Sequence, residues 1–272
     1  MPNRLAEILV GQPALITGAS KGIGRAIAER LSQYKMKLGL LGRSVERLES
    51  VAAAARKNDC ETLILPADLR KREKIEHAVQ QFKDAFGVPS ILINNAGIGD
   101  RRFWVDHSID NELAMMAVNY SAPILLTRLL LPNMLENKFG GHIININSVA
   151  GLYTSPFAGA YSASKAALLA YFTSLAYEMQ DTPIKISSIF MGPVDTDFIS
   201  QSGFECFKGK RTMLKPSDMA EKVIETISHP KERVFVGSLT EHLATKIAGL
   251  NPVFFRDFIE SRNPPPMKMN FD

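Results

Sequence analysis

Tyr161 and Lys165 are the side chains of this sequence that point most directly to chemistry. They stand four positions apart in the segment YSASK, and residues i and i+4 of a helix share one face, so a phenol and an ammonium lie side by side. A phenol has a reference pKa of about 10, and a neighbouring positive charge lowers that pKa because it stabilises the phenolate. Taken alone, the pair is more typical of an exposed helix face than of a catalytic site.

Two polar residues upstream strengthen the catalytic interpretation. Ser148 ends a predicted strand thirteen residues before Tyr161, where its hydroxyl can hydrogen-bond a substrate oxygen. Asn119 lies on a long apolar helix predicted for the preceding segment. Each has a simpler explanation, since Ser148 alone suits a strand-end cap and Asn119 alone suits a polar residue in helix packing. Catalysis is favoured only by their combination with a cofactor loop.

The segment TGASKGIG supplies that loop. It places Gly18, Gly22 and Gly24 between the apolar run PALIT and an amphipathic segment, as in a strand, turn and helix. Glycines there let the backbone approach a pyrophosphate, and the helix N-terminus offers free N–H groups. A strand-to-helix turn without a ligand is the alternative, and the position within a βαβ unit favours dinucleotide binding.

Two basic residues indicate which dinucleotide is bound. The second predicted strand ends at Arg43, near the position where folds that prefer NAD usually carry an acidic residue for the ribose, and Lys21 lies inside the glycine loop. Two cations there favour a 2′-phosphate, so we expect NADP(H) to be preferred over NAD(H). The alternative is that Arg43 is a solvated charge at the start of a loop.

The rest of the chain predicts the elements that must position these residues. Short apolar runs alternate with helical segments at intervals of 25 to 40 residues, which predicts an α/β fold: a Rossmann-like, doubly wound, mostly parallel sheet of seven strands flanked by helices. Right-handed crossovers place the carboxyl ends of the strands on one edge. Without an internal linker or repeat, we expect a single domain over residues 1–272.

Together, the glycine loop, NNAG at 94–97, Asn119, Ser148 and YSASK resemble the short-chain dehydrogenase/reductase family over roughly residues 10–240. The resemblance implies reversible hydride transfer between nicotinamide and a ketone or secondary alcohol. It implies that Tyr161 donates the proton, Ser148 orients the oxygen, and Lys165 lowers the tyrosine pKa and holds the nicotinamide ribose. It also implies that Asn119 anchors a water that links Lys165 to solvent.

The resemblance further implies a set of cofactor contacts. Asp68 resembles the family's adenine-contacting aspartate, and the alternative is that it caps a helix N-terminus. Residues 95–97 lie where the family contacts the adenosine, and the alternative is that they form a turn that only stabilises the sheet. Met191 replaces the usual proline of the segment that contacts the nicotinamide amide. The predicted cofactor-binding residues are Thr17, Gly18, Ser20, Lys21, Gly22, Ile23, Gly24, Arg43, Asp68, Leu69, Asn95, Ala96, Gly97, Tyr161, Lys165, Gly192, Val194 and Thr196.

Residues 197–215 occupy the place of the family's substrate lid and are predicted to be irregular. Their phenylalanines suggest a partly apolar cleft, while their basic residues either attract an acidic substrate or form a solvated loop. The phenylalanines are Phe198, Phe204 and Phe207, and the basic residues are Lys208, Lys210, Arg211 and Lys215. Phe103, Trp104 and Tyr153 are candidate pocket walls, with core packing as the alternative.

Composition limits the other classes of function. The net charge is only +4 and the sequence has no dense block of Lys and Arg, so nucleic acid is not an expected partner. The two cysteines and five histidines have no metal-ligand spacing, and no metal is predicted. The N-terminus does not have the pattern of a signal peptide, and no uncharged apolar run reaches about 18 residues. We therefore expect a cytoplasmic protein that does not associate with a membrane.

Partners and alternative functions follow from the same features. The substrate is expected to be a small carbonyl compound or alcohol. The apolar helices near 110–135 and 159–179 fit the family's habit of pairing subunits, so a homodimer or homotetramer is expected. Three roles stay open for the C-terminal extension 243–272: covering the cleft, packing on a neighbouring subunit or touching a membrane. A non-catalytic dinucleotide-binding or regulatory protein, and a membrane-surface lipid or steroid carbonyl reductase, are the alternatives.

Overall fold

The computed structural model describes Leu5 and residues 9–137, 140–154, 156–201, 203–204 and 213–237. Within that part of the chain, a parallel sheet of seven strands has the order β3-β2-β1-β4-β5-β6-β7. The predicted Rossmann-like, doubly wound sheet is confirmed. The strands are β1 (Pro13–Thr17), β2 (Lys37–Gly42), β3 (Glu61–Pro66), β4 (Ile91–Asn94), β5 (Gly141–Ser148), β6 (Ile184–Met191) and β7 (Arg233–Val236).

Helices connect the strands and cover both faces of the sheet. They are α1 (Gly22–Ser32), α2 (Val45–Arg56), α3 (Arg72–Phe86), α4 (Ile109–Met116), α5 (Ala122–Glu136), α6 (Gly159–Glu178), α7 (Asp197–Gln201) and α8 (Pro216–Ser228). The helix predicted over 159–179 ends one residue earlier than expected. The first residues of the segment 197–215, predicted to be irregular, are helical in α7.

Helices α4 and α5 are joined by a π-helical turn, Ala117–Ser121, into one continuous helix, Ile109–Glu136. By length and composition this helix is apolar enough to cross a membrane, a test that the core helix of a soluble protein also passes. One face of it, including Val118, Leu126 and Leu130, packs in the core together with β4 and α6. Part of its apolar surface is therefore buried against the sheet, whereas Ile109 and Leu113 are exposed.

The core consists of two layers, one on each face of the sheet. In β4, Ile91 and Ile93 face the layer that α1, α2 and α8 cover, whereas Leu92 faces the layer that α3, α5 and α6 cover. Both faces are buried, which explains why the strands read as continuous apolar runs. The strand order reverses between β1 and β4, and a crevice at this point, outside the carboxyl ends of the strands, is where such sheets bind ligands.

Two regions of the sequence predictions lie outside the described residues. These are residues 205–212 of the predicted lid, with Phe207, Lys208, Lys210 and Arg211, and the C-terminal extension 243–272.

Candidate active site

The glycine loop lies between β1 and α1, at the carboxyl edge of the sheet. Gly18 has a φ of +66°, a conformation that residues with a side chain rarely adopt. A Cβ on Gly24 would lie 2.2 Å from the Gly18 carbonyl oxygen, so only glycine fits there. The bare backbone at the first turn of α1 is a cradle that suits a pyrophosphate.

Thr17 and Asn95 hold this loop against β4. The Thr17 hydroxyl accepts hydrogen bonds from the backbone N–H groups of Asn95 and Ala96, each at 3.0 Å. The Asn95 side chain donates to the Thr17 carbonyl at 2.8 Å. The side chains of Thr17 and Asn95 thus order the protein's own backbone, and their contact with a cofactor stays a prediction.

Arg43 and Asp68 are neighbours beyond the ends of β2 and β3. Hydrogen bonds from Arg70 lower the pKa of Asp68 to about 2, and the charge of Arg43 contributes to the same shift. The N-cap of α3 is Lys71, so Asp68 does not cap that helix, contrary to the alternative raised from sequence. Arg43 is exposed at this edge of the sheet, and its contact with a 2′-phosphate stays a prediction.

Lys21, the second predicted phosphate contact, faces the segment after β6. Its Nζ lies 3.4 Å from an Asp197 carboxylate oxygen, and both side chains are substantially exposed. An exposed pair of this kind contributes at most about 1 kcal/mol to stability. The contact of Lys21 with a phosphate stays a prediction.

The segment after β6 lies against the glycine loop. A Cβ on Gly22 would lie 3.2 Å from the Thr196 methyl group. Val194 is buried and pairs with Leu214 in a parallel bridge. Thr196 is thus next to the cofactor cradle, whereas the side chain of Val194 belongs to the core.

The other predicted cofactor residues also divide into residues near the carboxyl ends of the strands and residues that pack against the core. The hydroxyl of Ser20 lies beside Gly42 at the end of β2, and Gly192 follows β6. Leu69 is buried in one layer of the core, and Ile23 is partly buried against the other.

Asn119 occupies the middle of the π-helical turn and is completely buried. Its side chain accepts from the Ile98 backbone N–H at 2.9 Å and donates to the Ile98 carbonyl at 2.8 Å and the Ser164 hydroxyl at 3.0 Å. Short π-helical turns are rare in proteins, and those that occur are often found at functional sites. Here the turn aims an amide between β4 and α6.

Lys165 is buried on α6, with 4% of its surface exposed. Its Nζ donates to the Ile146 carbonyl at 3.0 Å. A Cβ on Gly97 would lie 3.7 Å from this Nζ and 3.4 Å from the Asn119 side-chain oxygen, so both groups meet at Gly97. Burial lowers the pKa of Lys165 to about 8.

Tyr161 and Ser148 face each other between α6 and the end of β5. Burial raises the pKa of the Tyr161 phenol to about 12, and a hydrogen bond with Ser148 lowers it by less. The Ser148 hydroxyl also accepts from the Ala150 backbone N–H at 3.1 Å, as the strand-end cap that the sequence allowed. The direction of the tyrosine shift is opposite to the expected lowering, because the phenol is sealed from solvent.

Two phenylalanines make that seal. The Phe198 and Phe204 rings lie 5.9 Å and 5.7 Å from the Tyr161 ring and stack on each other. Beneath them is Gly99, where a Cβ would lie 2.7 Å from Phe198 and 3.3 Å from Phe204 and Tyr161. Phe198 and Phe204 thus form an apolar cover on the phenol, and the predicted cleft stays a prediction.

The three residues proposed as pocket walls differ in packing and exposure. Phe103 packs edge-on against Phe157 at 5.1 Å, Trp104 is 82% exposed, and Tyr153 is partly buried. Core packing does not account for Trp104.

One residue of the site was not identified from sequence. Asn147 is completely buried, accepts from the Ser148 backbone N–H at 2.8 Å and donates to the Lys165 carbonyl at 3.2 Å. It thereby joins the backbones of two predicted catalytic residues. The available signal was the alternation of polar residues with isoleucines in β5, which places Asn147 directly before Ser148.

Within the described residues, no group of three or more His, Cys, Asp or Glu side chains is arranged to hold a metal ion. What the site brings together at the edge of the sheet is a phenol, a hydroxyl, an ammonium and an amide beside a glycine cradle. This arrangement is suited to moving a proton to or from an oxygen atom of a ligand held next to a dinucleotide.

Comparison with known proteins gives consistent matches. The profile of the family described as short chain dehydrogenase matches residues 12–204. Dehydrogenase/reductase SDR family member 7B of Mus musculus is 32% identical over 259 residues, which cover 91% of this chain and 80% of that protein.

Two solved structures are also similar. An alcohol dehydrogenase from the archaeon Thermococcus sibiricus, complexed with 5-hydroxy-NADP, has a TM-score of 0.75 at 27% identity, with 84% of this chain and 97% of that chain covered. A metagenomic short-chain oxidoreductase in complex with NADP has a TM-score of 0.71 at 31% identity, with the same coverage of 84% and 97%.

Proposed function

The chain belongs to the short-chain dehydrogenase/reductase family of oxidoreductases, and from this premise we propose that it reduces a ketone, or oxidises the secondary alcohol, with NADP(H). The observation that carries the proposal is the meeting of Tyr161, Ser148, Lys165 and Asn119 beside the glycine cradle. A dinucleotide-binding protein without turnover would not need four such groups at one point.

The nicotinamide, when bound, supplies or accepts the hydride. In the reduction direction, Ser148 and Tyr161 hydrogen-bond the substrate oxygen, and the phenol proton passes to that oxygen as negative charge develops on it. The Lys165 ammonium stabilises the phenolate that remains. Because Asn119 fixes the backbone at Ile98 and bonds Ser164 on α6, it maintains the space between β4 and Lys165.

The geometry fits a dinucleotide, and the basic residues support NADP(H). Arg43 is exposed beyond β2, and Lys21 lies in the glycine loop, where its ion pair with Asp197 is exposed and therefore weak. Two similar solved structures were obtained with NADP or 5-hydroxy-NADP. Replacing Arg43 with Ala should weaken NADPH binding at least tenfold more than NADH binding, since it removes a charge-assisted contact worth about 1.5–3 kcal/mol. Equal weakening of both would contradict the 2′-phosphate assignment.

A panel of ketones and alcohols tests the activity, with the absorbance of the reduced nicotinamide as the signal. We expect turnover by the wild type, and a loss of at least about a hundredfold for Tyr161→Phe, because general acid catalysis contributes about that much or more. Binding of NADPH by Tyr161→Phe, followed by fluorescence, is the control for folding. A wild-type protein that binds NADPH and turns over nothing would support the regulatory alternative.

Partners and location are part of the same proposal. We place the enzyme in the cytoplasm, acting on a small molecule rather than on nucleic acid, as a homo-oligomer with one domain per chain. The apolar, partly exposed helices α4 to α6 support the oligomer.

A further inference from the structure

The side chains around Tyr161 form a small apolar cluster of their own, separate from the two layers of the core. We call it the aromatic pocket. Its buried members are Met115, Ala150, Ala158, Tyr161, Ile199 and Phe204, and Phe198 and Met213 are among the partly buried residues packed against them. Apart from the tyrosine hydroxyl, none of these side chains carries a polar N–H or O–H group.

Charged groups nearby are engaged elsewhere. Asp100 accepts from the Arg102 guanidinium at 2.7 Å and faces His107 at 3.6 Å. The Arg101 guanidinium lies over the Phe157 ring at 5.1 Å. Among the described residues, a ligand in the aromatic pocket therefore meets hydrocarbon and aromatic surface, with polar partners at Tyr161 and Ser148.

The phenol cannot receive a substrate while both rings cover it. Tyr161 is 6% exposed, and Phe198 and Phe204 pack directly on its ring. A substrate whose carbonyl reaches the phenol must take over contacts that these rings now make. Aromatic rings prefer offset or edge-on neighbours with centroids about 4.5–7 Å apart, which is the spacing already present here.

We propose that the substrate is an uncharged ketone with an aryl group on the carbonyl carbon, and that Phe198 and Phe204 determine this specificity. The proposal rests on the proposed function, since the aryl group must lie beside the proton donor. An aryl ring replaces the ring contacts it displaces, whereas a small alkyl group leaves them unmatched. A carboxylate would lose its hydration in the aromatic pocket, whose described side chains include no cation to pair with it.

Four ketones compared with saturating NADPH test this proposal. Acetophenone carries the aryl group, cyclohexyl methyl ketone matches its size without a π-system, butanone is small, and benzoylformate adds a carboxylate. We expect kcat/KM for acetophenone to exceed that for butanone and benzoylformate at least about tenfold, and that for cyclohexyl methyl ketone by about three- to tenfold.

Phe198→Leu and Phe204→Leu should each reduce the ratio of kcat/KM for acetophenone to that for cyclohexyl methyl ketone by about three- to tenfold. Phe86→Leu, which changes a phenylalanine at the end of α3, is the matched control and should leave the ratio unchanged. Titration with NADPH should give the same Kd in all four proteins, which shows that the variants fold.

The outcomes separate the two proposals. If the protein reduces ketones but has a higher kcat/KM for butanone or benzoylformate than for acetophenone, the aryl specificity is overturned and the reductase function stands. An unchanged ratio in both phenylalanine variants would overturn the role of the two rings. No reduction of any ketone by a protein that binds NADPH would overturn both.

Discussion

Burial is the main cause of the shifted pKa values of both Tyr161 and Lys165. Burial favours the neutral form of each group, so the pKa of the phenol rises to about 12 and that of the ammonium falls to about 8. The first shift makes the phenol a weaker acid. The second makes the charge that stabilises the phenolate sensitive to pH near neutrality.

This sensitivity gives a prediction for the pH dependence of ketone reduction. Lys165 is charged below its pKa of about 8 and neutral above it, so kcat/KM should fall as the pH rises through that value. A pH–rate profile with NADPH at saturation measures the effect. A rate that stays level well above the pKa of Lys165 would show that its charge is not needed.

Asn147 gives a second prediction at this scale. Asn147→Leu removes the acceptor of the half-buried Ser148 N–H and the donor in the buried hydrogen bond to the Lys165 carbonyl. An unsatisfied buried group costs about 1–3 kcal/mol. We expect kcat to fall about tenfold or more, with little change in the KM for NADPH, because Asn147 positions Ser148 and Lys165 rather than the cofactor.

Asn147→Ser is the matched variant, since its hydroxyl can accept from one neighbour and donate to another. It should recover a measurable part of the lost kcat. If both variants keep the kcat of the wild type, Asn147 has no positioning role.

At the scale of elements, β5 carries a buried histidine at the end opposite the site. His142 is hydrogen-bonded to the Ser187 hydroxyl of β6 at 2.9 Å, and burial lowers its pKa from 6.5 to about 4. Between these two pKa values the unfolded chain binds a proton that the folded chain does not. Acidification through this window therefore reduces the free energy of unfolding, by about 3 kcal/mol in total.

Urea unfolding between neutral pH and the lower end of that window measures this loss. His142→Gln can keep the bond to Ser187 and should remove most of the pH dependence. His77→Gln, a change at an exposed position of α3, should retain it. Equal acid sensitivity of the wild type and His142→Gln would contradict the assignment.

The elements also show what could be predicted from sequence. Apolar runs and glycine positions determine the strands, the cofactor loop and the edge where Ser148 and Tyr161 meet, because strand burial and bare backbone leave local patterns. The π-helical turn at Asn119 leaves none, since it depends on how α4 and α5 pack. The seal on Tyr161 joins residues 37 and 43 positions apart, so neither it nor the raised pKa follows from local sequence.

At the scale of the whole molecule, α6 has a face that the described residues leave exposed. Its exposed positions include a stripe of small residues at helical spacing: Ala163, Ala166, Ala170 and Ser174. Small residues allow two helices to approach closely, which supports the proposed pairing of subunits through this helix.

Ala170→Glu should therefore convert a dimer to a monomer, or a tetramer to a smaller assembly, in analytical ultracentrifugation, because it places a charge in the contact. Lys57→Glu, a change on the opposite side of the sheet at the end of α2, is the control and should leave the mass unchanged. An Ala170→Glu protein with the mass of the wild type would exclude this face as the subunit contact.

The central claim is that this chain transfers a hydride from NADPH to a carbonyl carbon with Tyr161 as proton donor. Reduction of a ketone with NADPH deuterated at the transferable position tests it most directly, with the alcohol examined by mass spectrometry. We predict one deuterium on the carbinol carbon of the wild-type product and almost no product from Tyr161→Phe. An unlabelled alcohol, or a Tyr161→Phe protein as fast as the wild type, would contradict the claim.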